Sequence, residues 1–254
     1  MVQIMMLIIV RINTGAPVPS GADAVVMVEN TRLVRTTEDG EEELEVEIMT
    51  EVIPGQDIRP VGSDIRTGET VLRSGLILGP GEVGLLAAVG VTRVQVSTLP
   101  SVAILSTGNE IQEPGQDLLP GHVRDSNKTT LLSLLATNGI LAKDAGIAKD
   151  DVATLTSSLQ SALSSSDLVV TTGGVSMGDR DLLRQVLVDK FGAEIHFARV
   201  NMKPGKPTTF ATCQLDGRTR VVIGLPGNPV SASVTCHLYV LPAVRLLSGQ
   251  NRFS

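Results

Sequence analysis

Acidic and basic side chains occur together in the loops that follow predicted strands in the second half of the chain. The C-terminal ends of strands form the ligand crevice in open α/β sheets. Carboxylates and cations in one crevice suit a phosphate ligand that a hydrated Mg²⁺ bridges to the protein, because Mg²⁺ prefers oxygen ligands and keeps several waters. The acids are Glu110, Asp150, Asp179 and Asp181, and the bases are Arg199, Lys203 and Lys206.

Two adjacent glycines, Gly173 and Gly174, follow a predicted strand at 168–171 and precede a predicted helix at 181–191. A glycine turn of this kind presents backbone N–H groups to an anion. The same pair is also common in ordinary tight turns, so the motif by itself leaves both interpretations open. Asp150 has a similar alternative, because an Asp at this place can cap the N-terminus of the next helix.

Two proline-containing loops add to this edge. The sequence MKPGKP holds Lys203 and Lys206 on a stiff segment, and such constraint favours anion binding over an ordinary solvated loop. The sequence LPGNP places Pro226 and Pro229 in a rigid turn before an apolar helix. This second loop is equally consistent with a plain helix start that has proline at its first position.

Strands and helices alternate from Ser101 onward, which predicts an α/β fold with a doubly wound, mostly parallel sheet. Five loops with unusual residues each follow the C-terminal end of a predicted strand, so this fold would bring them to one edge. They span 106–110, 149–151, 172–181, 203–207 and 225–229. The predicted strands are 102–105, 140–148, 168–171, 194–200, 208–211 and 220–223, and the predicted helices are 125–137, 150–164, 181–191 and 228–247.

The first hundred residues are predicted to be β-rich. Apolar residues alternate with acids in 44–48, and a Glu-Asp-Gly-Glu turn separates this segment from 33–35. This pattern predicts a β-hairpin with one face exposed to solvent. A short helix at 82–89 follows, and a Leu-Pro pair then marks a boundary. We therefore predict a β-rich region at 1–99 and the α/β domain at 100–254.

Composition narrows the class of protein. Eight of the 27 acidic residues lie in 38–51, where there is no Lys or Arg, so the rest of the chain has 19 acidic against 21 basic residues. The slight excess of basic residues in this remainder is compatible with an anionic ligand. The chain has four Phe, one Tyr and no Trp, and this scarcity argues against nucleic-acid binding through stacked rings.

Cys213 and Cys236 have no Cys-x-x-Cys spacing, which favours a reducing, cytoplasmic location and two inert core thiols. The three histidines are scattered and form no zinc-ligand pattern. Residues 1–10 are apolar but too few to span a membrane, and we predict that they are either a buried strand or an irregular translation start rather than a targeting segment.

Eight segments in collinear order resemble the molybdopterin molybdenumtransferase family, which includes the bacterial MoeA proteins and the E domain of gephyrin. The likeness covers roughly residues 11–249 and is strongest to the animal gephyrin E domain. The segments are TGAPVPSGADAVV at 14–26, GQDIR at 55–59, GSDI at 62–65, STGNE at 106–110, RDSN at 124–127, GGVSMGDRD at 173–181, KPGKP at 203–207 and LPGNP at 225–229.

This resemblance implies a MoaB/Mog-like α/β domain that inserts molybdenum from molybdate into molybdopterin. In the eukaryotic branch the substrate is adenylylated molybdopterin, and its Mg²⁺-dependent hydrolysis releases AMP. The implied catalytic residues are Asp64, Asp150, Asp181 and Glu110, and the implied Mg²⁺ ligands are Glu110, Asp150 and Asp181. The implied substrate-binding residues are Thr14, Gly173, Gly174, Ser176, Arg199, Lys203, Lys206, Pro226 and Pro229.

The resemblance also bears on partners. It implies a homodimer that binds a pterin phosphate. The family's N-terminal Asp-Gly-Tyr-Ala motif and its C-terminal β-barrel have no counterpart in these 254 residues, so we expect no receptor clustering. The alternative function is a non-catalytic scaffold or dimerisation module of the gephyrin type, which binds the pterin without turnover.

Overall fold

The structure of the chain, a computed structural model, describes residues 8–174 and 182–250. The chain divides into two compact units, Met1–Arg73 and Ser74–Ser254. The boundary predicted between residues 99 and 100 was placed where strands and helices begin to alternate along the sequence. It stays a prediction.

The first unit contains the predicted hairpin. Strand β1 (Thr31–Thr36) pairs with β2 (Glu43–Ile48) in antiparallel register after a 3₁₀ turn at Val28–Asn30. The acids of β2 face basic residues of β1, as in the pair of Arg32 with Glu47. Both side chains of that pair are exposed, so it contributes little to stability.

The prediction of a buried strand at the N-terminus is wrong for the residues that the structure describes there. Ile8, Ile9 and Val10 are exposed and belong to no strand. Residues 1–7 lie outside the described part. An apolar sequence pattern predicts burial only where a second surface is available to cover it, and Ile8, Ile9 and Val10 have no such cover.

The second unit is an α/β domain whose regular elements alternate along the chain. Its strands are β3 (Val102–Thr107), β4 (Ile111–Gln112), β5 (Val123–Arg124), β6 (Lys143–Ala148), β7 (Leu168–Thr172), β8 (Glu194–Phe197), β9 (Thr209–Leu215) and β10 (Arg218–Leu225). Its helices are α1 (Pro80–Ala88), α2 (Ser126–Thr137), α3 (Val152–Ser165), α4 (Leu182–Phe191), α5 (Pro229–Thr235) and α6 (Leu241–Leu247), with a π-helical turn at Cys236–Val240 between the last two.

Six strands form the main sheet, in the order β6-β3-β7-β10-β9-β8. Strands β6, β3, β7 and β10 are parallel. Strand β9 is antiparallel to both β10 and β8, so β8 runs in the same direction as the first four. The sheet is therefore mostly parallel, as predicted, and the loops after β3, β6, β7, β8 and β10 leave from one edge.

Apolar residues on the two faces of the sheet belong to two separate clusters. Leu105 and Val169 pack with α3 and α4 on one face, whereas Ile104 and Val170 pack with α2 and the helical segment 229–247 on the other. Neighbouring residues of one strand alternate between the clusters because successive side chains point to opposite faces. Helices on both faces make the sheet doubly wound, which confirms the predicted fold class.

Side-chain caps fix where the helices begin. The carboxylate of Asp125 accepts a hydrogen bond from the backbone N–H of Lys128 at 3.0 Å and starts α2, as predicted. Helix α3 begins after Asp151, which accepts from the N–H of Thr154 at 2.8 Å. The helix-cap interpretation of Asp150 is therefore wrong, and its carboxylate is left for another role.

The apolar helix predicted over 228–247 is interrupted. A π-helical turn at Cys236–Val240 precedes Pro242, whose ring would clash with the carbonyl four residues earlier in a regular helix and which has no N–H to donate. Residues 229–247 are long and apolar enough to cross a membrane by those two criteria alone. Cys236 and Val240 of this segment pack against the sheet, as in the core helix of a globular domain. Length and composition alone are therefore no evidence that the segment crosses a membrane.

A hydrogen-bonded cluster ties strands together at the opposite edge of the sheet. Asp167 accepts hydrogen bonds from the N–H and the hydroxyl of Ser101 at 2.9 and 2.8 Å, and its other oxygen lies 2.8 Å from a guanidinium nitrogen of Arg220. The backbone hydrogen bond from Ser101, together with the charge of Arg220, lowers the pKa of Asp167 below its usual 3.8. Arg220 is buried, so this pairing also neutralises its charge.

We expect Asp167→Asn to lower the unfolding free energy at pH 7 by about 1 kcal/mol. Arg220 keeps its charge without a carboxylate, but the side chain of Asp167 is 41% exposed, so solvent screens part of the interaction. A lowered carboxyl pKa stabilises the fold above pH 3.8, and that contribution is lost as the pH falls through the folded-state value. Urea unfolding at pH 7 and pH 3 should therefore show a smaller difference between wild type and variant in acid. An equal difference at both pH values would contradict the argument, and exposed Asp189→Asn is the control.

Candidate functional site

A cleft of about 760 Å³ lies at the C-terminal edge of the sheet in the second unit. Its walls come from the ends of β3 and β7, the start of α2 and the loop before α5. Predicted site residues that line it are Glu110, Asp150, Gly173, Gly174 and Pro229. Thr107, Asp125 and Asn127 line it as well, although sequence reasoning gave them no ligand contact.

The loops after β3 and β6 bring two acidic side chains into this cleft. The N–H of Gly108 donates to the carbonyl of Ala148 at 3.1 Å, and the N–H of Asp150 donates to Oδ1 of Asn109 at 3.1 Å. These bonds hold Asp150 near Glu110. Burial and then the negative charge of Glu110 raise the pKa of Asp150, against the opposing effect of its backbone hydrogen bond to Asn109.

Two carboxylates that repel each other fit an oxygen-preferring divalent cation. The third predicted metal ligand, Asp181, lies outside the described residues, as do Ser176 and Asp179. Within the residues that the structure describes, no group of three or more His, Cys, Asp or Glu side chains could hold a metal ion. The described part of the cleft thus supplies two candidate ligands, Glu110 and Asp150.

We expect Glu110→Gln to lower the pKa of Asp150, because the substitution removes a negative charge and leaves the shape of the side chain. Carbon-13 NMR titration of the Asp150 carboxyl group measures this shift directly. Glu194→Gln, on the edge strand β8, is the control and should leave that titration unchanged. A titration of Asp150 that is the same in Glu110→Gln as in wild type would show that the two carboxylates do not interact.

The glycine pair after β7 allows two loops to approach closely. Gly173 has φ +85°, and a Cβ there would lie 2.4 Å from the carbonyl oxygen of Thr107. Gly174 has φ +68°, and its Cβ would lie 2.5 Å from the hydroxyl of Thr107. The N–H of Gly173 donates to the carbonyl of Leu225 at 3.2 Å, so the anion interpretation depends on the N–H of Gly174.

The basic loop between β8 and β9 is not part of the cleft lining. Lys203 and Lys206 are exposed, and the loop docks on the helical segment after β10. A Cβ on Gly205 would lie 2.6 Å from Cγ2 of Thr235, and the hydroxyl of Tyr239 donates to the sulfur of Met202 at 3.4 Å. Strand β8 is three positions from β7 in the sheet, which is roughly 14 Å at the usual strand spacing.

The remaining predicted residues lie elsewhere. Arg199 is exposed after β8, and Pro226 is buried beside the cleft without lining it. Thr14 and Asp64 belong to the first unit. Thr14 lies in an exposed turn, and the carboxylate of Asp64 pairs with the guanidinium of Arg59.

A buried ammonium group that sequence reasoning missed supports the start of α2. The side chain of Lys128 is 3% exposed, and its Nζ lies 2.5 Å from Glu113, 3.1 Å from Asp144 and 3.9 Å from Asp125. The spacing of Asp125 and Lys128 is the one signal of this pair in the sequence, since residues three apart share a helix face. The other two acids come from elsewhere in the chain, Glu113 from the loop after β4 and Asp144 from strand β6. Both cysteines are buried as predicted, and burial raises the pKa of Cys236 to about 12.

Two protein families match the chain in succession. Residues 7–90 match the MoeA N-terminal region (domain I and II), and residues 103–246 match the probable molybdopterin binding domain. The second match covers more than half of the chain.

Individual relatives agree with these families. The chain is 41% identical to gephyrin of Dictyostelium discoideum, covering 94% of this chain and 36% of that protein. It is 44% identical to the molybdenum cofactor synthesis protein cinnamon of Drosophila melanogaster, covering 95% and 39%. It is 39% identical to molybdopterin molybdenumtransferase of Nostoc sp., covering 94% and 52%. The chain thus spans between about a third and a half of the length of these relatives.

A solved structure supports the fold. The molybdopterin biosynthesis MoeA protein from Pyrococcus horikoshii superposes with a TM-score of 0.71 at 32% identity, covering 92% of this chain and 55% of that one. The doubly wound sheet with a cleft at its C-terminal edge defines an α/β ligand-binding domain. The chain belongs to the molybdenum cofactor biosynthesis family described as probable molybdopterin binding domain, with a MoeA N-terminal region before it.

Proposed function

We propose that the chain binds adenylylated molybdopterin along the C-terminal edge of its sheet and inserts molybdenum from molybdate with release of AMP. The observation that carries this proposal is the order of charges along that edge. Glu110 and Asp150 follow β3 and β6, the glycine turn follows β7, and the basic loop follows β8. The named activity of relatives that match over most of this chain supports it.

The separation of the charged groups favours a long, anionic ligand. Strands β3 and β8 are four positions apart in the sheet, which corresponds to roughly 19 Å. No single ion spans that distance, whereas a pterin joined to AMP through phosphates does. We assign Lys203, Lys206 and Arg199 to neutralising phosphate or molybdate, and the N–H of Gly174 to donating a hydrogen bond to phosphate.

We assign Glu110, Asp150 and Asp181 to holding Mg²⁺. When bound, Mg²⁺ would supply positive charge that offsets the repulsion between these carboxylates and the phosphates. The raised pKa of Asp150 supports Glu110 and Asp150 as ligands, because a bound cation would offset both causes of the shift, which are burial first and then the negative charge of Glu110.

Further assignments rest on the family alone. We propose Thr14, Asp64, Ser176, Pro226 and Pro229 as additional site residues, with Asp64 in a catalytic role. A homodimer and a cytoplasmic location complete the proposal, together with a domain boundary near residue 99. The two buried free thiols support a reducing compartment.

Incubation of the purified chain with adenylylated molybdopterin, molybdate and Mg²⁺ tests the proposed activity. We expect release of AMP that stops when EDTA is added and that Asp150→Asn reduces by about tenfold or more. Asp189→Asn, on the exposed face of α4, is the matched control and should keep wild-type activity.

The same assay separates the proposal from its alternative. Binding of the nucleotide without any AMP release would contradict the enzymatic proposal and favour a module that binds the pterin without turnover. Absence of both binding and release would contradict both functions.

A further inference from the structure

The side chain of Asn127 joins three elements at the floor of the cleft. It lies in the first turn of α2, and the residue is 9% exposed. Its Nδ2 donates to the hydroxyl of Thr172 at 2.7 Å and to the carbonyl of Gly227 at 2.8 Å. One amide group thus connects α2 to the end of β7 and to the loop before α5.

These two hydrogen bonds fix the orientation of the amide. The carbonyl of Gly227 can only accept, so the amide nitrogen of Asn127 must face it. The oxygen Oδ1 therefore points the other way, where it is buried and accepts no hydrogen bond from any residue that the structure describes. A buried acceptor without a donor costs about 1–3 kcal/mol, so this orientation needs a compensating donor.

Two neighbouring residues of the cleft share this property. The hydroxyl of Thr107 is buried and has no hydrogen-bond partner among the described residues. Oδ2 of Asp125 is also buried without a hydrogen bond, and the ammonium of Lys128 faces it only at 3.9 Å. Both residues line the same cleft as Asn127, beside the turn at Gly174. Two of the three atoms can only accept, so this floor is complementary to a ligand group that carries N–H or O–H donors.

We propose that Oδ1 of Asn127 accepts a hydrogen bond from an N–H or O–H group of the bound ligand, while Nδ2 holds the glycine turn against the loop before α5. The inference rests on the proposed function for the identity of the ligand. Both ends of adenylylated molybdopterin carry suitable donors, on the pterin ring and on the ribose. Asn127 therefore contacts the ligand and also positions the turn that faces the phosphates.

Equilibrium binding of three probes, adenylylated molybdopterin, molybdopterin alone and AMP alone, tests the contact. We expect Asn127→Ala to raise Kd by about tenfold for adenylylated molybdopterin and for whichever half carries the donor. Thr172→Val removes one of the two bonds made by Nδ2 and leaves Oδ1 in place, so its loss of affinity should be smaller. Asn138→Ala, at the exposed C-terminus of α2, should bind like wild type.

Three other outcomes of these binding measurements would overturn the inference. Unchanged Kd in Asn127→Ala for all three probes would overturn the inference and leave the proposed function intact. Equal losses in Asn127→Ala and Thr172→Val would also overturn it, because the effect would then follow the positioning bonds. Failure of wild type to bind any probe would contradict the proposed function and the inference together.

A measurement on the wild-type chain covers the case in which Asn127→Ala does not fold. The side-chain amide signals of Asn127 in a nitrogen-15 NMR spectrum should shift when adenylylated molybdopterin is added, because Oδ1 gains a donor. The side-chain signals of Asn138 should not shift. Signals of Asn127 that stay in place at saturation would overturn the inference.

Discussion

Gly173→Ala should lower the unfolding free energy by roughly 2–4 kcal/mol and weaken binding of adenylylated molybdopterin by about tenfold or more. The new methyl group would lie 2.4 Å from the backbone oxygen of Thr107, which cannot swing aside as a flexible side chain could. The backbone at Gly173 also has φ +85°, a region that alanine disfavours. Relief of the clash must move either the turn after β7 or the end of β3, and both line the cleft.

Gly139→Ala separates the two causes. Gly139 follows α2 with φ +76°, and a Cβ there meets nothing within 4 Å. This control should show only the cost of the backbone conformation, about 1–2 kcal/mol, and wild-type affinity. Chemical denaturation and binding titration of both variants separate the cost of the backbone conformation from the cost of the contact with Thr107. Equal stability losses in the two variants would show that the contact with Thr107 is not tight.

Lys128→Met should lower the unfolding free energy by about 3 kcal/mol at pH 7, because it leaves the buried carboxylate of Asp125 without a nearby positive charge. Burial alone would lower the pKa of Lys128, but its hydrogen bonds to Glu113 and Asp144 outweigh burial and raise that pKa above 10.5. A raised lysine pKa stabilises the fold fully below pH 10.5, and the contribution is lost as the pH rises through the folded-state value.

Denaturant unfolding at pH 7 and above pH 11 therefore checks the sign as well as the size of this effect. Wild type should lose stability in alkali, while Lys128→Met should lose less, so that the two converge. Lys190→Met, in the exposed last turn of α4, is the control and should change the free energy by no more than about 0.5 kcal/mol. A variant as stable as wild type at pH 7 would contradict the account of the buried cluster.

Local patterns were sufficient to predict most of the fold. Alternation of apolar and acidic residues predicted the hairpin of β1 and β2, and alternating strands and helices predicted the doubly wound sheet. The Asp-Gly turn between β9 and β10 is a local pattern of the same kind, since Asp216 and Gly217 both have positive φ, as a two-residue hairpin loop requires.

Element ends depended on contacts that no local pattern records. Strand β8 was predicted to reach residue 200 but ends at Phe197, because the N–H of Val200 donates to the carbonyl of Lys206 within the loop. Two adjacent aspartates precede α3, and only the structure distinguishes Asp151 as the cap.

The candidate site was predictable in outline and not in its contacts. Strand direction was enough to bring Glu110, Asp150 and the glycine turn to one edge. The distance of Lys203 from that cleft depends on strand order, and strand order depends on packing among segments far apart in sequence. The two hydrogen bonds that Nδ2 of Asn127 donates could not be predicted either, because their acceptors, Thr172 and Gly227, are 45 and 100 residues away in the sequence.

A crystal structure of the chain with adenylylated molybdopterin would show where the ligand binds. We expect the ligand to lie along the C-terminal edge of the sheet, with a phosphate oxygen in hydrogen-bond distance of the N–H of Gly174 and a donor in such distance of Oδ1 of Asn127. A ligand bound away from this edge, or one whose phosphates have no contact with the glycine turn, would contradict this expectation.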